Sequence, residues 1–390
     1  MSRDLPFKKS VLAAFMAVLC AAGVLCYLSR ADAPRSPTIW TRRGVIKPWA
    51  ALRKSVFYEA PLTTITHLAM VPGQAGQGAC VAILDQRSVS NVDIMTRELR
   101  SRVNFDVVSP NPILVNSARN KKPQILCRGY GYTDVALLDG DGNTVWRLPQ
   151  SSHDLATAAD LDQDGKTEYY IATSDGIQRL DATGRLVWQQ GLGVLYTWVN
   201  AFEHEGGHTP TTLLALTALN QVHTYDGRGK LLNARQLPKD VVALRVVHEM
   251  SEGQRPHLVF LKAAGSSQCI EVTNSDGVTE FEYAVPSACK ALFGLEVTTV
   301  QFIEGGPTYY AVLTPFSSST GCALLSLLTV DGKLKYQEIL GRGTGLLAVS
   351  ASAHDGSSGV LFVGDSKPRR VMMYSAVEPR TTETPETNGR

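Results

Sequence analysis

Charge is scarce in this chain of 390 residues. Asp, Glu, Lys and Arg make up 19% of it, and 38 basic residues nearly cancel 36 acidic ones. That balance excludes a disordered polyelectrolyte and offers nothing to a nucleic-acid backbone. Cysteine is scarce too: seven residues cannot staple a chain of this length into a disulfide scaffold. The familiar catalytic signatures are missing. No G-x-S-x-G, no P-loop and no G-x-G-x-x-G at a strand–helix junction occurs. The nearest approach, GRGTG at 341–345, lacks the closing Lys-Ser/Thr and reads as a linker turn between repeats. No Asn-x-Ser/Thr acceptor occurs after residue 30, which favours a bacterial envelope over an animal cell surface.

Long apolar runs are also absent, with one exception. After a short basic segment, residues 1–10 with Arg3, Lys8 and Lys9, the stretch 11–28 reads VLAAFMAVLCAAGVLCYL without a charge. Eighteen residues at 1.5 Å per residue make about 27 Å of helix, enough to cross a hydrocarbon core. The run exceeds a usual signal h-region, so a retained transmembrane signal anchor is expected. A cleaved signal peptide, cut near Ala22 or Gly23, is the alternative. Either reading exports the rest of the chain: a linker, 29–36, a folded region, 37–377, and a polar tail, 378–390, expected to be disordered.

What is plentiful is turn-forming residues, with 33 Gly and 19 Pro, and they recur periodically. A turn Gly is followed four residues later by a large aromatic: Gly142 and Trp146, Gly184 and Trp188, Gly277 and Phe281, Gly332 and Tyr336. Gly229 and Asn233 form a weaker copy. Asp-Gly and Thr-Gly between apolar runs signal hairpins. Upstream, acid-Gly turns (164–165, 205–206, 252–253, 304–305, 355–356) precede short apolar strands such as YYIAT, TLLALT, HLVFL, YYAVLT and GVLFV. With CVAIL and QILCR the strand centres fall near 82, 126, 171, 214, 259, 311 and 361, at spacings of 43 to 52 residues. That is the period of a four-stranded propeller blade. The expectation is an all-β, seven-bladed β-propeller, with six or eight blades as alternatives, in which these apolar runs are inner strands. The last unit lacks an outgoing strand. PTIWTR (37–42) resembles NTVWRL and RLVWQQ, so Ile39 and Trp40 are expected to supply that strand and close the ring. A membrane-interface role for Trp40 is the alternative.

The segment 158–189, AADLDQDGKTEYYIATSDGIQRLDATGRLVWQ, resembles the FG-GAP/VCBS β-propeller repeat of integrin α chains and many bacterial surface proteins. Its tail, LDATGRLVW, also resembles PQQ-like propeller repeats. The match has motif strength over this blade and is degenerate elsewhere. It implies a binding scaffold rather than a particular chemistry.

Asp160, Asp162, Asp164 and Glu168 alternate through a loop bent at Gly165, and hard carboxylate oxygens so placed suit calcium. It is not an EF-hand, because position twelve from Asp160 is Ile171 and a strand comes next. The FG-GAP resemblance implies side-chain oxygens from Asp160, Asp162 and Asp164, the backbone carbonyl of Lys166, and a closing carboxylate from Glu168. The family more often closes with Asp. An Asp-rich turn capped by its own hydrogen bonds is the alternative. His204-Glu205-Gly206-Gly207-His208 spells the zinc-protease motif, but that motif needs a helix, and two central glycines each cost a helix about 1 kcal/mol. Five cysteines lie beyond the apolar run. Cys269 and Cys289 are the pair close in sequence and so the candidate disulfide; the others read as small core residues.

The expected function is therefore a membrane-anchored, extracytoplasmic, non-catalytic scaffold that binds a protein or glycan partner through its loops, with one calcium-stabilised blade and no nucleic acid. The alternative is a propeller enzyme, a calcium-using polysaccharide lyase or a PQQ-like dehydrogenase. For a lyase His153, His204, His208 and His223 are the local candidates.

Overall fold

The computed structural model describes residues 44–377 apart from the segments 60–64, 72–77, 106–111, 116–122, 128–134, 149–155, 163, 174, 203–211, 248–256, 266, 275–276, 290–294, 317–321, 342, 350–358 and 366–368. The apolar run 11–28, Ile39, Trp40, the 204–208 motif, His153 and the tail lie outside the described residues. Among the described residues no helix is long and apolar enough to cross a membrane.

The strands form seven antiparallel sheets. Blade 1 is His67–Val71, Cys80–Leu84, Ser88–Asp93 and Leu99–Asn104; blade 2 is Ile113–Val115, Gln124–Cys127, Val135–Leu138 and Thr144–Leu148. Blade 3 is Ala156–Ala159, Glu168–Thr173, Gly176–Leu180 and Leu186–Gln190; blade 4 is Tyr196–Phe202, Thr212–Thr217, Gln221–Tyr225 and Leu231–Gln236. Blade 5 is Val241–Val247, His257–Ala264, Ser267–Thr273 and Thr279–Val285; blade 6 is Glu296–Gln301, Thr308–Pro315, Ala323–Thr329 and Leu334–Leu340. Blade 7 takes Gly343–Val349, Val360–Asp365 and Arg370–Ala376 from the end of the chain and Leu52–Glu59 from its beginning.

Seven hydrophobic clusters fill the seven junctions between neighbouring blades, which closes the ring. At the junction of blades 6 and 7, Leu325 and Tyr336 meet Leu361 and Tyr374. Between blades 7 and 1, Phe57 and Phe362 meet Val81 and Ile83. The remaining five clusters repeat this pattern around the ring. Each fully buried aliphatic or aromatic side chain contributes about 1.5–3 kcal/mol, so the ring is held by its junctions rather than by a central core.

Closure by an N-terminal strand is observed, but not by the strand expected. Leu52–Glu59 pairs with Arg370–Ala376 from Leu52 opposite Ala376 to Glu59 opposite Arg370. Ile39 and Trp40 precede it and cannot hold that place. Leu52–Glu59 lacks the turn-Gly and aromatic signature because it follows no hairpin of its own blade. Just before it, Gly44–Lys47 adds a fifth strand to the outer edge of blade 6.

The apolar runs CVAIL, QILC, YYIAT and their equivalents are the second strands of their blades, not the innermost. The second strands Cys80–Leu84, Glu168–Thr173 and Val360–Asp365 are buried along their whole length. A second strand is covered by sheet partners on both edges and by neighbouring blades on both faces. The outermost strands are the exposed ones, Leu231–Gln236 throughout. Gly343 begins the inner strand of blade 7, so GRGTG is only in part a linker. The five described cysteines are free thiols. Cys269 lies half-buried in the third strand of blade 5 and Cys289 is buried in a single 3-10 turn, so the candidate disulfide is not formed.

The Gly-to-aromatic spacing has a structural reason. Each turn glycine lies against the outer strand of the preceding blade. A Cβ on Gly184 would stand 2.8 Å from the Trp146 ring, one on Gly229 2.9 Å from Trp188, and one on Gly332 2.8 Å from Phe281. In blade 5, Gly277 meets Arg235 instead, and in blade 2, Gly142 meets the backbone of Asn104. The turns are capped from within: Asp139 Oδ1 accepts from the amides of Asp141 and Asn143, Asp181 Oδ1 from those of Thr183 and Arg185, and Asp226 Oδ1 from those of Arg228 and Lys230.

Strand direction divides the ring into two faces. Turns between first and second and between third and fourth strands lie on one, the hairpin face. Turns between second and third strands, and the connections from blade to blade, lie on the other, the connection face.

Candidate functional site

The acidic loop joins the first and second strands of blade 3 on the hairpin face. Asp160, Asp162, Asp164 and Glu168 each bring one carboxylate oxygen within 4.8 Å of the others. The bend at Gly165 turns its N–H onto Asp160 Oδ2 at 2.7 Å, and Lys166 N–H donates to Asp164 Oδ1 at 2.8 Å. Glu168 opens the buried second strand, where its carboxylate accepts from Leu161 N–H at 3.3 Å and from the Tyr170 hydroxyl at 3.3 Å. Burial pushes the Glu168 acid up to about 7, against the pull of the Arg179 guanidinium, while the neighbouring Asp162 charge adds to the rise.

Arg179 is the member that sequence reading missed. It sits on the third strand opposite Tyr170. Its Nη2 bonds Asp162 and lies 3.0 Å from Glu168 Oε1, while Nη1 donates to the carbonyl of Gly227 at 2.7 Å. Lys166 Nζ lies 2.5 Å from Asp164 Oδ2. The only sequence sign of Arg179 was a cation in the short strand GIQRL, one hairpin after the acids. Gly227 belongs to the third-to-fourth-strand turn of blade 4, and a Cβ there would come within 2.8 Å of the Leu161 backbone. The acidic loop is therefore wedged against the next blade, and Arg179 ties the two together.

The donor set suits a hard divalent cation in chemistry and convergence. Two of its carboxylates, however, already share a guanidinium and a third holds an ammonium. A cation entering here has to displace Arg179 and Lys166 from oxygens they now neutralise.

A second charged pair lies near the ring axis. Arg245 on the inner strand of blade 5 is near enough to Glu296 on the inner strand of blade 6 for their charges to interact, and Glu296 also accepts the backbone N–H groups of Gly345 and Leu346 in blade 7. Burial lowers the Arg245 guanidinium and raises the Glu296 acid, each opposed by the other's charge. Across the axis the inner strands of blades 2, 3 and 4 border a cavity of about 290 Å³ with Leu114, Thr157, Ala159 and Ala201 on its wall. Among the sequence candidates for lyase chemistry only His223 is described. It lies on the third strand of blade 4, with Nδ1 3.0 Å from the Tyr196 hydroxyl, and burial lowers its pKa.

No protein-family model matches this chain, and no curated protein does. Solved structures do. BBS1N, in complex with ARL6DN and soaked with mercury, aligns with a TM-score of 0.56 at 11% identity, over 85% of this chain and 98% of its own. Streptogramin B lyase aligns at 0.53 and 13% identity, over 84% and 99%. The Swd1 (Cps50) β-propeller domain of Myceliophteria thermophila aligns at 0.51 and 14%, over 83% and 100%. Likeness at such identity establishes the fold, a seven-bladed β-propeller.

Proposed function

We propose that this chain is a membrane-anchored, extracytoplasmic β-propeller that works as a non-catalytic scaffold, presenting its hairpin face to a protein or glycan partner. The observation that carries the reading is how the N-terminal segment is built into the ring. It adds a strand to blade 6 and then completes blade 7. Tension on the stem is thereby shared by two sheets, which suits a ring held by an anchor at 11–28. The buried charges Glu338, Glu168 and Glu271 are each matched within the fold, by Lys54, Arg179 and Lys262. A fold of this kind serves BBS1N in its complex with ARL6DN.

In this reading Asp160, Asp162, Asp164, the Lys166 carbonyl and Glu168 hold calcium, which supplies the positive charge that Arg179 and Lys166 otherwise provide. Alkaline extraction of membranes tests the anchor: the chain stays with the lipid if 11–28 is retained, and appears in the medium if it is cleaved. Capture of partners by the full chain, with and without a chelator, tests the scaffold. The reading fails if the purified chain degrades a polysaccharide or peptide library.

The enzymatic alternative has one observation in its favour, the Arg245–Glu296 pair on the inner strands. Loss of such an activity in Glu296→Gln would establish it.

A further inference from the structure

The connection face carries an apolar sector over blades 3, 4 and 5. Leu192 is 75% exposed and Leu195 41% in the connection from blade 3 to blade 4. Leu219, 79% exposed, is at the turn between the second and third strands of blade 4, and Val242, 57% exposed, is at the start of blade 5. Hydrogen bonds to backbone carbonyls hold these segments together. Ala218 N–H donates to the Leu195 carbonyl at 2.8 Å, Leu237 N–H to the Asn220 carbonyl at 2.8 Å, and Asn220 Nδ2 to the Val241 carbonyl at 3.3 Å. Scattered exposed aliphatics are ordinary on a protein surface; a group of them on adjoining turns is not. The hairpin face differs. In its turns the exposed Met95, Val278, Ile303 and Val330 stand one to a turn, beside Arg97 and Glu98, Glu280, Glu304, and Asp331 and Lys333. In the apolar sector the charged residues are Asp175, in the turn between the second and third strands of blade 3, and Lys239 and Asp240, in the connection to blade 5.

The chain enters the ring on this same face. Gly44 lies opposite Ile339, near the connection-face end of the outer strand of blade 6, and the strand runs from there to Lys47 opposite Gln337. Fifteen residues, 29–43, separate it from the apolar run 11–28. The last described residue, Val377, donates its N–H to the Ala51 carbonyl on the opposite, hairpin face.

We infer that the apolar sector of the connection face rests on a lipid bilayer, with Leu192, Leu195, Leu219 and Val242 among the head groups and Lys239 at their edge. This rests on the anchor reading. Side chains that dip about 5–10 Å into the interface exchange water for acyl chain, and a basic residue beside them is drawn to anionic lipid. The hairpin face, with the acidic loop, is then turned away from the membrane and open to a partner.

The test uses the full chain in nanodiscs of phosphatidylcholine and phosphatidylglycerol, with a diazirine amino acid in place of Leu219 or, as control, Val330. Both side chains are exposed, so neither replacement disturbs a core. After irradiation, lipid adducts at position 219 are expected at least tenfold above those at 330. Equal yields at the two positions, in a chain that survives alkaline extraction, overturn the inference and leave the anchor standing. A protein adduct at 219 in native membranes, in place of lipid, also overturns it and assigns the sector to a protein partner. A chain that washes off the bilayer refutes the anchor reading, and the inference falls with it.

Discussion

Lys54 on the closing strand and Glu338 on the outer strand of blade 6 form an ion pair. Glu338 is buried, and its other oxygen accepts from the hydroxyls of Tyr336 at 2.6 Å and Tyr374 at 2.9 Å. Three elements meet on one carboxylate: the N-terminal strand, the blade it completes and the blade before it.

Removing that carboxylate leaves two buried hydroxyls and an ammonium without their acceptor. Glu338→Ala is expected to lower stability by about 3–5 kcal/mol in urea unfolding. Lys54→Met should cost less, about 1 kcal/mol, because the ammonium is partly exposed and screened.

Arg179 holds the Asp162 and Glu168 oxygens that a calcium ion in the acidic loop would need. Arg179→Met should lower the melting temperature of the calcium-free protein, and saturating calcium should restore it. Calorimetry should show the variant binding calcium at least tenfold more tightly than the wild type. If neither protein responds to calcium, the acidic loop is a capped turn held by Arg179.

Burial raises the Glu168 acid to about 7 in the folded chain, above its ordinary value. The fold therefore holds the proton more tightly than the unfolded chain between pH about 4.5 and 7. Without calcium, stability from this group falls as pH rises through that window and is level above it. The effect is on the order of 3 kcal/mol. Glu168→Gln should flatten the difference in urea midpoint between pH 5 and pH 8.

The contact between Gly184 and Trp146 gives a coupling test of the repeat. Gly184 has φ +80°, and an added methyl meets the indole at 2.8 Å. Gly184→Ala should cost about 2–4 kcal/mol from backbone strain and overlap together. Combined with Trp146→Leu it should cost less than the sum, since the smaller side chain relieves the overlap.

The blade repeat was legible because blades 2, 3, 5 and 6 repeat the same local chemistry, a turn glycine and an aromatic at a constant offset, with a weaker copy in blade 4, and apolar second strands recur at a steady spacing. The fully apolar second strands were legible as buried, but their place was not. A strand covered by sheet partners and by neighbouring blades has the same composition wherever it stands from the axis. The closing strand was misplaced for a related reason. The segment 38–42 carries the tryptophan pattern of an outgoing strand, whereas Leu52–Glu59 carries none, and pairing with Arg370–Ala376 is a matter of register across the whole chain.

In the acidic loop, four carboxylates at alternating positions were visible as a cluster because they lie within nine residues. Arg179 was not, because only the hairpin register of blade 3 brings it to them, and Gly227 only the packing of blade 4.

The sequence by itself determined the period, and with it seven four-stranded units and their turns, since hairpins are local and report in adjacent residues. The tertiary structure alone decided how the ring closes, which cation neutralises the acidic loop, and which exposed leucines share a face. Those relations join residues far apart in the chain, and no local pattern encodes them.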